Sequence, residues 1–241
     1  MKQPCQTESV TDILARMLEI YRVLNNLPLP QLITISILPV LFAITVHEVA
    51  HGWVAKLLGD PTAQRLGRLT LNPVKHIDPM GTVLVPALLL LLKVGVIFGW
   101  AKPVPVTWEN LRNPKKDMVL VAAAGPVANL LMAILWALVI KIGTLLPASL
   151  GWAAQPMYYM GLVGILINVL LMVFNLLPLP PLDGGRVAVG LLPGPWAWRL
   201  SRVEPYGFYI LIALWVTGIL WLVIGPVGDF MVKLVFFLVG L

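Results

Sequence analysis

The sequence predicts an all-α polytopic membrane protein, a bundle of about five to six transmembrane helices with a re-entrant element and short strand-like segments. Three observations carry this. The 241-residue chain is 59% hydrophobic and 12% charged, whereas a soluble globular domain is about 25% charged. Its mean hydropathy is +0.89, and several apolar runs exceed the ~18 residues that mark a membrane span. The runs are joined by short connections, with no repeat, low-complexity linker or second soluble domain.

Each element follows from its own pattern. Residues 7–26 place Val10, Ile13, Leu14, Met17, Ile20, Tyr21 and Leu24 at helical spacing. That is an amphipathic helix, lying on the membrane surface or against the bundle. The first span runs from Leu32 to Leu58 and stops at Gly59-Asp60-Pro61. Arg65–Leu71 partly alternates and reads as a short strand. The apolar run Met80–Trp100 is broken by Pro86, Lys93, Gly95 and Gly99, and reads as re-entrant. Lys102–Val106 is held extended by its prolines. Met118–Ile140 and Pro156–Leu182 are charge-free spans, the second containing Asn168 and Asn175. Tyr206–Ile224 and Val227–Leu241 are the last apolar segments. The organisation is therefore an amphipathic N-terminal helix (1–28), a core (29–190) and C-terminal transmembrane helices (191–241).

Charge and cysteine usage narrow the classes. The net charge of +6 is scattered through connecting loops, where it sets topology rather than forming a nucleic-acid footprint. Cys5 is the single cysteine, a free thiol with no intrachain partner. The polar N-terminus does not read as a cleavable signal.

Chemistry concentrates in His47-Glu48-Val49-Ala50-His51, inside the first span. His-Glu-x-x-His on a helix puts both imidazoles on one face, where they can share a zinc ion, with the glutamate placed as general base. Ionisable residues at membrane depth are expensive and usually functional. A catalytic zinc site takes three protein ligands and keeps one position open. The candidates for the third are His76 and the acidic Asp78, Asp183 and Asp229. Asp183 follows Pro178, Pro180 and Pro181 and precedes Gly184 and Gly185. Such a broken helix is tolerated within a membrane where it lines a protein cavity. His76 lies in a polar loop, where a histidine more often hydrogen-bonds than ligates.

HEVAH in the first span, Gly125-Pro126-Val127-Ala128-Asn129 in a middle span and NLLPLPPLDGGR in a later one resemble the site-2 protease family of intramembrane zinc metalloproteases. RLTLNPVKHIDPMGT and GWAKPVPV resemble its compact prokaryotic branch, without PDZ or CBS domains. The resemblance covers about residues 32–190. It implies one Zn2+ per chain bound by His47, His51 and Asp183, with Glu48 as catalytic base. It also implies that Asn175 stabilises the tetrahedral intermediate or grips the substrate backbone. The partners it implies are the lipid bilayer and a transmembrane protein substrate.

Topology tests that ligand set. His51 and Asp183 each lie just before a basic residue, Lys56 and Arg186. Their spans must be parallel for the ligands to meet. That requires Met80–Trp100 to make no net crossing. The loops 59–79 and 101–117 are both basic and the loop 142–155 is uncharged. The positive-inside tendency then places the site nearer the cytoplasm of a prokaryotic cell membrane. Gly125 and Asn129 share a helix face and read as packing residues, as does Asn168. The rival readings are a prenyl-protein type zinc protease, a membrane metal transporter and a catalytically idle membrane chaperone. Glu204 is the single late glutamate suited to the first, a transporter would spread its polar residues through the membrane, and an idle relative would lack Glu48.

Overall fold

The computed structural model describes residues 24, 26–91 and 99–241. The amphipathic helix expected over 7–26 lies almost wholly outside the described residues. Among the described residues, four helices are long and apolar enough to cross a membrane: α1 (Leu29–Leu57), α4 (Pro114–Thr144), α5 (Gly151–Asn175, entered through a 3-10 turn at Ala148–Leu150) and α9 (Ile219–Val239). Between them lie α2 (Thr62–Arg65), α3 (Val85–Leu91), α6 (Asp183–Leu191), α7 (Gly194–Ser201) and α8 (Glu204–Val216). Large apolar side chains point outward along the spans, Ile37, Leu131, Leu222 and Phe237 among them, as lipid solvent permits.

The bundle is built on close approach of α4 and α5. A Cβ on Gly164 would strike the Trp136 ring, and one on Gly161 would strike Ile140. Small residues at these positions let the two backbones meet. Trp136, Ile140, Ile165 and Val169 form the core there, joined by Val235 of α9.

The ends of α1 and α6 position the site. After Leu57 the chain takes a Schellman-type stop: Gly59 has φ 115°, Gly59 N–H donates to Lys56 O at 3.2 Å and Asp60 N–H to Ala55 O at 2.9 Å. This turns the Asp60 side chain inward, fully buried. Helix α5 stops at Asn175, not at Leu182, because Pro178, Pro180 and Pro181 cannot continue it. The loop 176–182 then folds back beneath α6. Gly184 lies against Leu176 O, Gly185 against Pro180 N and Gly207 of α8 against Pro180 O, each too near for a Cβ.

The two ends of the 79–100 segment lie side by side. Asp78 caps its start through Met80 N–H (3.0 Å) and Gly81 N–H (2.8 Å). At its other end Trp100 N–H returns to Gly81 O (3.1 Å), and Thr82 Oγ1 donates to Trp100 O (2.8 Å). Its entry at Gly81 and Thr82 and its exit at Trp100 are thus one place.

Two local expectations are corrected. No strand occurs among the described residues: Arg65 closes the helical turn α2, and 102–106 takes no regular secondary structure, since Pro103 and Pro105 offer no N–H to a ladder. Tyr206–Ile224 is not one segment, because Gly218, at φ 76°, separates α8 from α9. The Lys141 ammonium near the end of α4 caps Val239 O at the end of α9, so these two helices point the same way.

Candidate metal centre

The i,i+4 spacing on α1 puts His47 and His51 on one face, both buried. The loop 176–182 delivers Asp183 to that face. His47 Nε2 and His51 Nε2 each lie 3.3 Å from Asp183 Oδ2 and 3.1 Å from each other. This is the one group of three or more potential metal ligands among the described residues.

The triad fits zinc on several grounds. Four ligands about 2.0–2.1 Å from a tetrahedral zinc ion stand roughly 3.3 Å apart, the spacing found here. Asp183 Oδ2 is buried and makes no hydrogen bond, an expensive state unless a cation completes it. The space beside the triad is kept by Gly125 of α4. A Cβ there would meet His51 Nε2 and lie 2.5 Å from His47 Cε1 and 2.7 Å from His47 Nε2.

Outer contacts fix the imidazole tautomers. His51 Nδ1 is 2.7 Å from Val121 O, an acceptor, so Nδ1 carries the proton and Nε2 presents its lone pair. His47 Nδ1 is 2.5 Å from Asn129 Oδ1, with the same consequence. Asn129 Nδ2 in turn donates to Ala43 O (3.2 Å) and Asn168 Oδ1 (2.8 Å), and Asn168 Nδ2 to Gly164 O (2.8 Å). Both asparagines are fully buried. The chain ties α1, α4 and α5 together behind the ligands, so Gly125, Asn129 and Asn168 do more than the packing read from sequence. The signal for Asn129 was available: a polar amide four residues from Gly125 inside an apolar helix.

Glu48 is half-buried, and its Oε2 accepts the Val104 N–H at 2.7 Å. Nothing in residue type foretells this, because the donor is backbone. Asn175 Nδ2 donates to Leu171 O at 2.9 Å, and one further N–H of that amide remains available. His76 is buried away from the triad: its ring Nε2 bonds Thr70 O (2.9 Å) and its carbonyl accepts Lys102 N–H (2.9 Å). Asp78 is spent on its helix cap.

A membrane-embedded bundle holding two imidazoles and a carboxylate beside a glutamate is a zinc metallopeptidase architecture. The sequence profile of peptidase family M50 matches residues 35–217, and the chain belongs to that family, which makes it a zinc metalloendopeptidase of site-2 protease type. A Bacillus subtilis relative named "Putative zinc metalloprotease YwhC" is 38% identical over 207 residues, covering 82% of this chain and 89% of its own. "Putative zinc metalloprotease Rip2" of Mycolicibacterium smegmatis is 31% identical over 179 residues, covering 73% of this chain and 64% of its own. "Putative zinc metalloprotease MJ0611" of Methanocaldococcus jannaschii is 32% identical over 95 residues, covering 39% and 44%. No solved structure matches the chain.

Proposed function

We propose that the protein hydrolyses a peptide bond in or near a transmembrane segment of another membrane protein, with one Zn2+ held by His47, His51 and Asp183. The observation that carries this is the buried triad with its unpartnered Asp183 oxygen. Zinc, when bound, polarises the scissile carbonyl and lowers the pKa of its water to about 7. The two imidazoles hold their Nε2 lone pairs toward the centre, fixed by Asn129 and Val121. Glu48 Oε1, the oxygen not bonded to Val104, takes the proton of the attacking water and returns it to the leaving amine nitrogen. Asn175 offers its remaining amide N–H to the substrate carbonyl oxygen.

The site lies toward the ends of α1 and α5. The basic loops beside those ends support a site on the cytoplasmic side of a prokaryotic cell membrane. Among the described residues the potential metal ligands gather in one group, which supports hydrolysis over metal transport.

The test joins metal content to cleavage. Purified wild type holds one zinc per chain and cuts a single-span test substrate. Asp183→Ala loses the zinc, and Glu48→Gln keeps zinc but not cleavage. Equal zinc in wild type and Asp183→Ala, or equal cleavage by Glu48→Gln, overturns the reading.

A further inference from the structure

We propose that the Val104 backbone N–H is the positioning donor for Glu48, fixing which oxygen of the carboxylate is free to receive the proton. This rests on the hydrolytic reading above. Glu48 has three rotatable bonds and no other hydrogen-bond partner among the described residues, so the 2.7 Å bond from Val104 decides where its carboxylate points.

The loop is built to hold that one donor still. Pro103 and Pro105 flank Val104. Both lack an N–H and have a fixed φ, so the strip is stiff and offers a single donor between them. Upstream, Lys102 N–H bonds His76 O at 2.9 Å, and the Arg68 guanidinium donates to Lys102 O at 2.9 Å. Downstream, Thr107 N–H bonds Asp60 Oδ2 at 2.7 Å. Asp60 is itself fixed by the turn that ends α1. The loop is therefore registered against the helix that carries Glu48.

The Val104 side chain completes the seating. It is 7% exposed and rests on Gly52, one turn beyond Glu48 on the same face. A Cβ on Gly52 would lie 2.7 Å from Val104 Cγ1, 3.1 Å from Ala63 Cβ and 3.3 Å from Leu69 Cδ1. A missing side chain on α1 thus lets the loop come near enough for the amide to reach the carboxylate. Val104 acts through Glu48 and touches no reacting atom, so it is a positioning residue.

Three measurements on the full-length, zinc-loaded protein in nanodiscs test this. Replacing Val104 by its α-hydroxy acid swaps the N–H for an oxygen and keeps the isopropyl group. kcat should fall on the order of 10-fold, a part of what general base catalysis contributes, with KM and zinc content unchanged. A loss in KM or folding alone, with kcat intact, means a merely structural contact and overturns the proposal. Gly52→Ala should lower kcat by pushing the loop away, and adding Val104→Ala, which removes the clashing methyl, should restore most of it. Failure of that rescue also overturns it. Independently of activity, the Val104 amide should exchange on the order of 10-fold faster in Glu48→Ala than in Glu48→Gln, which keeps an acceptor. Equal exchange would show that the bond is not made. Because exchange is read without a substrate, it separates failure of this inference from failure of the hydrolytic reading.

Discussion

The two kinds of side chain in the His-Glu-x-x-His motif are held by different means. The imidazoles of His47 and His51 are buried and locked from behind by helix α4, through the Asn129 amide and the Val121 carbonyl. The carboxylate of Glu48 is half-buried and held from the front by one backbone donor on a proline-flanked loop. On the proposed reading, metal binding is a property of packed helices, and base placement a property of a loop anchored on them. The two should be separable: some substitutions should remove zinc, and others should leave zinc and remove turnover.

The strongest way to break the imidazole side is Gly125→Ala. The added methyl would occupy the space where the two Nε2 atoms converge, so zinc affinity should fall more than 100-fold, beyond what loss of an outer contact does. Chelator competition followed by metal analysis measures it. Wild-type zinc content in this variant would mean that α4 can shift away from α1, and the comparison would lose its rigid half.

Asn129→Ala probes the same side more gently. It removes the acceptor for His47 Nδ1 and the donor for Asn168 Oδ1. Loss of such an outer partner typically costs about 10- to 100-fold in metal affinity. Asn168→Ala, one bond further from the ligand, should cost less. Affinities in the reverse order would show that the relay does not run from ligand to Asn129 to Asn168.

What was legible in the sequence divides along the same line. The triad was readable because its parts are side chains: spaced histidines on an apolar helix, and an aspartate after a proline-broken span. The spans α1, α4 and α5 were readable from apolar runs, and the return of Trp100 to Gly81 agrees with the re-entrant reading of the segment between them. The loop side was not readable. Gly59-Asp60-Pro61 registers only as a helix stop, although Asp60 becomes the anchor of the 104–110 strip. The Val104 donor is a peptide group, which every residue but proline carries. Arg65–Leu71 looked like a strand because alternation over seven residues cannot distinguish a strand from a helical turn followed by an irregular loop.

The loop side can be weakened without touching either ligand or base. Buried Asp60 accepts Thr107 N–H (2.7 Å), Asn110 Nδ2 (3.0 Å), Thr62 N–H (3.0 Å) and the Thr62 hydroxyl. Burial alone would raise its pKa, but bonds from Asn110, Thr62 and Thr107 outweigh that and hold it below the ordinary 3.8. A folded-state pKa below the unfolded one means stability present above the unfolded value and lost as pH falls through the folded value. Asp60→Asn should therefore lower stability by about 1–3 kcal/mol at pH 7, the scale of a hydrogen bond to a charged group. The gap from wild type should shrink below pH 3.8. Thermal unfolding in detergent across pH 3–8 reads this directly, and a gap that widens in acid would contradict the assignment. Zinc content should not change.

The smallest expected effect lies where the two sides touch. Arg186 follows Asp183 by three residues on α6, and its guanidinium stacks 5.0 Å over the Trp108 ring of the loop. It also reaches Glu204 Oε1 at 3.5 Å, in a pair whose side chains are 33% and 50% exposed. A solvated ion pair contributes little, because water screens it and ordering two long side chains costs entropy. Glu204→Gln should shift stability by less than about 0.5 kcal/mol. Arg186→Ala should cost somewhat more, about 0.5–1 kcal/mol, since it also loses the stacking contact. If α6 and the loop are independent, neither substitution changes zinc affinity. A tenfold change in zinc affinity from Arg186→Ala would mean that Trp108 helps to set Asp183, and the loop would then belong to the metal site as well as to the base.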